Sequence, residues 1–318
     1  MRVGCNDGLV RGPLQSIPAR AASRAPGLVI SCSILLALCL LFTGPLWAAG
    51  ERLPIWKVTT GQAEVVLLGS VHLAFADIYP LRPEIETAFD RADTLVVEVD
   101  VGGPNALAIQ QTLLQRGLLP EGETLPGQLS APVWKLLERY LQSRGLPLEG
   151  FMSLQPGLVV ATLSTMRLME LGMRPDMGID QHFLGLARHR KPILELETAQ
   201  QQIDLLLGFP DQDLLMEQTL VQLDEIDLHI RPLYEAWKAG DAERLSELLL
   251  EDELAQEPRF QPLYAAMFDQ RNEAMTEHML DYLQGSGSYF VVVGAGHLVG
   301  KKGIVSLLKQ RGFDVQKL

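Results

Sequence analysis

The chain writes one short phrase twice. Val66-Leu67-Leu68-Gly69-Ser70-Val71-His72-Leu73 and Val291-Val292-Val293-Gly294-Ala295-Gly296-His297-Leu298 share an apolar run, a glycine, two residues, a histidine and a leucine, 225 residues apart. A short apolar run rich in β-branched residues and ended by glycine reads as a buried strand. In open α/β sheets, ligands bind just outside the carboxyl ends of the strands. Two such strands, each turning into Gly-x-x-His, predict one sheet with both histidines at the same edge. The residues after one copy differ from those after the other, so the pair is not a tandem repeat of domains.

The rest of the pattern fits around these strands. Ile55 to Val58 and Glu64 to Leu68 read as a hairpin joined by Thr59 to Ala63. Arg82 to Asp93 has helical spacing with an acidic first turn, and Thr94 to Val99 is a buried-type strand, a βαβ-like beginning. Helical spacing then runs from Asn105 to Met173 and from Asp180 to Arg190, before the strand PILELE, and again over residues 199 to 284. A strand at Tyr289 to Val293, a helix at Ile304 to Arg311 and a short strand at Phe313 to Val315 complete the pattern. No Ser/Gly linker divides it, which predicts one α/β domain over residues 51–318 with large helical insertions. With 318 residues and 47% hydrophobic content, the chain can bury a core of that size.

Chemistry is expected where the strands end. Besides His72 and His297, the run LVVEVD carries Glu98, and ILELET carries Glu195 and Glu197. A carboxylate at the end of an apolar strand is costly to bury unless it is paired or ligated. Glu197 also reads as a cap for the helix after it. Gly69, Gly294 and Gly296 let the backbone turn or approach a ligand where a Cβ would clash. Imidazole and carboxylate without thiolate suit a divalent cation such as Zn²⁺, Mn²⁺ or Co²⁺. Such an ion acidifies water to a pKa of about 7, which is hydrolase chemistry.

Other readings are weaker. Gly294-Ala295-Gly296 invites a dinucleotide fold, but the third glycine falls at Gly300, one place late, and too little chain remains for further βα units. His182 and His189 fit the exposed face of a helix, His229 and His278 lie in polar helical runs, and Arg271-Asn272 reads as a solvated pair. No His-Glu-x-x-His motif is present.

Residues 1–50 have a different character. Arg2, Arg11, Arg20 and Arg24 precede ILLALCLLF and then Ala48-Ala49-Gly50, the layout of a secretory signal. The alternative is an uncleaved anchor in the inner membrane, but Gly44-Pro45 interrupts the run well before the roughly 20 residues of a span. The expectation is a periplasmic or secreted protein, attached to a membrane only through this segment if at all. All three cysteines, Cys5, Cys32 and Cys39, lie here, so the remainder has no disulfide, thiolate metal site or cysteine nucleophile. The segment carries four arginines and Asp7, a net +3, so removing it takes the formal charge from −12 to −15. A surface that acidic disfavours nucleic acid.

As an ordered set, VLLGSVHLA, the strand ending in Glu98, MGIDQHFLGLARHRKPILELETAQQQIDLL, the Arg271-Asn272 helix and YFVVVGAGHLVGKKGIVSLL resemble the TraB/GumN/PrgY family, which is similar to the Tiki metalloproteases. The likeness runs from about Leu53 to Leu318. It implies a mixed, largely parallel sheet flanked by helices, related to the erythromycin-esterase and ChaN folds. It also implies a metal-dependent peptidase site taking a peptide or protein substrate. In that site His72, His297 and Glu98 hold the metal, Glu197 is a further ligand or general base, and Arg271 stabilises an oxyanion. Gly69, Ser70, Asp180, Gly294 and Gly296 support them, Ser70 standing where the family usually has threonine. The alternative is a periplasmic protein that binds a metal, haem or peptide without turnover.

Overall fold

The computed structural model describes residues 52–251 and 257–318. The expected signal or anchor lies outside the described residues. Among those described, no helix is long and apolar enough to cross a membrane.

Six strands form one sheet: β1 (Ile55–Thr59), β2 (Ala63–Ser70), β3 (Thr94–Val97), β4 (Ile193–Glu195), β5 (Gly287–Gly294) and β6 (Val315–Lys317). Their order across the sheet is β4-β3-β5-β2-β1-β6. The β1–β2 hairpin pairs antiparallel from Ile55↔Leu68 to Thr59↔Glu64. β5 pairs parallel with β2 on one side and with β3 on the other, and β3 pairs parallel with β4. The sheet is therefore mixed and largely parallel, flanked by helices, as expected. The final strand falls two residues later than its apolar residues suggest, because the β1 edge pairs with Val315 to Lys317.

The α-helices among the described residues are α1 (Pro83–Arg91), α2 (Ala106–Gly117), α3 (Ala131–Ser143), α4 (Pro156–Glu170), α5 (Ile179–Ala187), α6 (Ala199–Leu207), α7 (Gln212–Lys238), α8 (Ala242–Ser246), α9 (Gln261–Tyr264), α10 (Gln270–Gln284), α11 (Ala295–Leu298) and α12 (Ile304–Gln310). Two π-helical turns, Glu247–Glu251 and Ala265–Asp269, interrupt the later ones. Strands of continuous β-branched and leucine residues are buried on both faces, as a parallel sheet covered by helices requires. Leu67, Leu95 and Phe290 of the sheet, with Phe89 of α1 and Phe183 of α5, belong to the main core. A second cluster, including Leu137, Val159, Leu163 and Met216, joins α3, α4 and α7, so the helices inserted around β4 have their own apolar centre.

Candidate active site

The four parallel strands stand side by side, so their carboxyl ends form one continuous edge. Across it, β4 leads to Glu197, β3 to Glu98, β5 to His297 and β2 to His72. Ser70 pairs with Gly294, which sets the two Gly-x-x-His turns next to each other. A Cβ at Gly69 would lie 2.7 Å from the Pro54 ring and 3.1 Å from the Ala295 Cα, so the close approach of the two motifs depends on glycine there.

The buried half of the site is built around Arg271. This guanidinium, at the start of α10, donates from Nε to Glu197 Oε1 at 2.8 Å and from Nη2 to Glu197 Oε2 at 2.7 Å and Glu98 Oε2 at 2.9 Å. Its Nη1 donates to the Met267 carbonyl at 3.1 Å, so all three nitrogens have protein acceptors. Gln202 Nε2 donates to both carboxylates, 3.2 Å to Glu98 and 3.1 Å to Glu197. The other oxygen of Glu98 accepts the Gly294 N–H at 2.7 Å. Burial works against the Glu98 carboxylate, but His297, His72, Arg271 and the Gly294 N–H together hold its pKa below the ordinary value.

Glu197 does not cap the helix after it. Thr198 takes that place in a capping box with Gln201, which starts α6 one residue later and leaves the buried Glu197 to Arg271. Glu195 is exposed and accepts the Asp100 N–H at 2.6 Å, apart from this network.

His297 is 5% exposed. Its Nδ1 lies 2.7 Å from Asn272 Oδ1, while Asn272 Nδ2 donates to the Lys302 carbonyl at 3.0 Å. That second bond turns the amide oxygen toward the ring, so Nδ1 carries the proton. Burial drives the His297 pKa down to about 4 against the pull of Glu98. The neutral ring then presents an Nε2 lone pair to Glu98 Oε1, 3.8 Å away. Two acceptors face one another with no proton between them.

His72 has the same wiring in a different setting. Its Nδ1 lies 3.2 Å from Asp180 Oδ1, with its own side chain 65% exposed. The Asp180 hydrogen bond raises its pKa to about 9, burial opposes the rise, and the charges of Asp180 and Glu98 add to it. Asp180 is brought there by the start of α5, where Ile179 N–H bonds the Val71 carbonyl at 3.1 Å. A Cβ on Gly178 would run into the His72 carbonyl oxygen, which explains the glycine of the Gly178-Ile179-Asp180 segment.

Among the described residues, no three His, Cys, Asp or Glu side chains form a ready metal cage. The donor chemistry nevertheless suits a cation. Each motif histidine has Nδ1 held by a side-chain oxygen, leaving Nε2 free, which is the usual support for a metal-binding imidazole. For His297 the free nitrogen faces a carboxylate.

The family model described as TraB/PrgY/gumN matches residues 54–317. The chain belongs to the TraB/PrgY/gumN family. Among similar proteins of this kind is the uncharacterized protein YbaP of Escherichia coli K12, 27% identical over 251 residues covering 78% of this chain and 89% of that protein. Metalloprotease TIKI1 of Xenopus tropicalis is 21% identical over 300 residues, 78% of this chain and 58% of that protein. Metalloprotease TIKI2 of Danio rerio is 23% identical over 79% of this chain and 57% of that protein. No solved structure matches.

Sequence reasoning passed over two residues that stand in this candidate site. Asn272, read as solvated, is 2% exposed and fixes His297. Gln202 bridges the two glutamates. His182, read as surface, is half-buried; it packs on the Tyr79 and Phe183 rings and its Nε2 has no partner among the described residues. His189, His229 and His278 are exposed as expected.

Proposed function

We propose that this protein is a metal-dependent hydrolase that cleaves peptide bonds, acting outside the cytoplasm. The observation that carries the reading is the wiring of the twin motifs. Two imidazoles from adjacent strand ends each have Nδ1 tied down, and one of them faces a buried carboxylate across a gap suited to a cation. The distant relation to proteins named metalloproteases supports the same chemistry. His297, Glu98 and His72 would hold a divalent ion, Mn²⁺, Co²⁺ or Zn²⁺; such an ion polarises a carbonyl and acidifies water.

The protein's own groups do the positioning. Asn272 and Asp180 fix the two rings so that Nε2 stays available. Gly294 N–H and Arg271 fix the two oxygens of Glu98. Arg271 also holds Glu197 through both oxygens and offsets two carboxylates in a buried setting, a positioning task beyond the oxyanion contact that the resemblance implies. The exposed His72 marks the side from which an extended substrate would approach this network. Export is supported by the arginines, apolar run and Ala48-Ala49-Gly50 of the leader.

The test is metal analysis of the purified protein, followed by turnover of a peptide library before and after chelation. Stoichiometric metal and cleavage that chelation abolishes and Mn²⁺, Co²⁺ or Zn²⁺ restores are expected. Metal without cleavage of any peptide would move the protein to the binding class.

A further inference from the structure

We infer that the cavity behind the two motifs receives one large apolar side chain of the substrate peptide, of the leucine, methionine or phenylalanine class. This rests on the hydrolase reading and adds to it the class of substrate residue. The cavity holds about 210 Å³. An apolar protein cavity of about 150 Å³ binds benzene, so this one admits a phenyl ring with its methylene or a branched aliphatic chain.

Its walls tie it to the candidate centre. Ser70 and Val71, the residues that carry β2 into His72, line it together with Ala295 and Gly296, the residues that carry β5 into His297. Phe268, from the π-helical turn before α10, also lines it, and its ring centroid is 5.4 Å from that of His297. One aromatic ring thus separates the cavity from the metal-binding candidate. π-Helical turns of this kind recur at functional sites. A residue whose side chain filled the cavity would have its backbone beside both motifs.

The chemistry of the lining selects the occupant. Most of it is carbon, and Trp237 is one of the residues that line it. A charged side chain entering it would lose its water without compensation. An apolar one would be stabilised by about 25 cal/mol for each Å² removed from water. Of the polar side-chain groups on its lining residues, the Tyr234 hydroxyl and the Trp237 N–H are already bonded to other groups, and the Ser70 hydroxyl is buried. The cavity therefore suits an apolar side chain.

The experiment reads binding and cleavage separately, on the full chain. The indole N–H resonance of Trp237, which donates to the Gly69 carbonyl at 2.9 Å, reports occupancy of the cavity. N-acetyl amides of phenylalanine and leucine should shift it saturably and bind about tenfold or more tighter than the alanine amide, as the added burial predicts. The aspartate amide should not bind. Ile230→Phe and Leu233→Phe, which fill the cavity from α7, should weaken the phenylalanine amide about tenfold while metal content stays unchanged. Equal binding of the alanine and phenylalanine amides, or no shift with any amide, overturns the inference even if the filling variants do not fold. Peptide cleavage with no preference for a large apolar residue next to the cut overturns it and leaves the hydrolase intact. Selective amide binding without cleavage of any peptide removes the hydrolase and keeps the cavity.

Discussion

His72 and His297 are spelled alike and live apart. Each comes after a parallel strand and a glycine, and each has Nδ1 held by a side-chain oxygen. Yet burial pushes His297 down to about 4, while a carboxylate partner at the exposed edge raises His72 to about 9. The difference lies in the partners: beside His297 a neutral amide leaves burial to prevail, while beside His72 a charged carboxylate outweighs it. A motif therefore fixes where an imidazole stands and what supports it, whereas the packed neighbours decide its charge. One ring is ready to donate a lone pair at neutral pH, and the other must give up a proton first.

The largest test of the comparison is at Arg271, which belongs to the buried side alone. Arg271→Ala leaves Glu98 and Glu197 facing each other without their shared cation, and removing one partner of a buried ion network costs about 3–5 kcal/mol. Urea unfolding of the metal-free protein should show that loss, whereas Asp180→Ala, whose partner His72 is 65% exposed, should cost less. Equal losses would mean that the two halves are not energetically distinct.

A smaller effect is expected in metal affinity. Partners that orient a metal-binding histidine are worth about 10- to 100-fold. Asn272→Leu removes the oxygen that fixes the His297 tautomer and leaves the Lys302 carbonyl without its donor, so calorimetric titration with Mn²⁺ or Zn²⁺ should show a loss near the upper end of that range. Asp180→Asn keeps an oxygen beside His72 and should lie near the lower end. The reverse order would place the stronger metal contact at the exposed histidine.

The smallest effect concerns a histidine outside both motifs. Burial lowers the pKa of His182 from 6.5, so on acidification the unfolded chain takes up that proton first. The unfolded state then binds more protons, and this ring's contribution to stability must fall as pH drops below about 6.5. Comparing the pH dependence of the urea midpoint in wild type and His182→Phe should show a shallower acid slope in the variant. An unchanged slope would show that the ring is already solvated.

Much of this was legible in the sequence, for a definite reason. Val291 to Val293 and Leu95 to Val97 are continuous apolar runs, and a charged or imidazole residue just after such a run has few places to go except the strand's carboxyl edge. Glu98, His72 and His297 were therefore visible one at a time, and the parallel pairing sets the ends of their strands next to one another. Asn272 and Gln202 were not. Asn272 sits in the polar run QRNEAMTEH, and its partner is a carbonyl thirty residues away, Lys302. Gln202 is the last of three consecutive glutamines, and only the phase of α6 after its Thr198 cap selects it over Gln200 and Gln201. The exposure of His72 was equally hidden, because both motifs carry the same words and differ only in what packs against them.

The strand order has a consequence for how such a molecule comes into being. β5 lies between β3 and β2, yet it is formed by residues far down the chain from either. Until it arrives, β2 and β3 have no sheet contact with each other, and each offers an unpaired edge of the kind that invites aggregation. Pairing across such a separation carries a large loop-closure cost and makes for slow folding. During synthesis β2, which leads to His72, and β3, which leads to Glu98, must therefore wait for a late strand that joins them and brings His297. The order in which the ribosome delivers the parts runs against the order in which the sheet can use them, so a shortened form of the chain that lacks β5 leaves β2 and β3 unjoined and keeps the His72 end of the site apart from the Glu98 end.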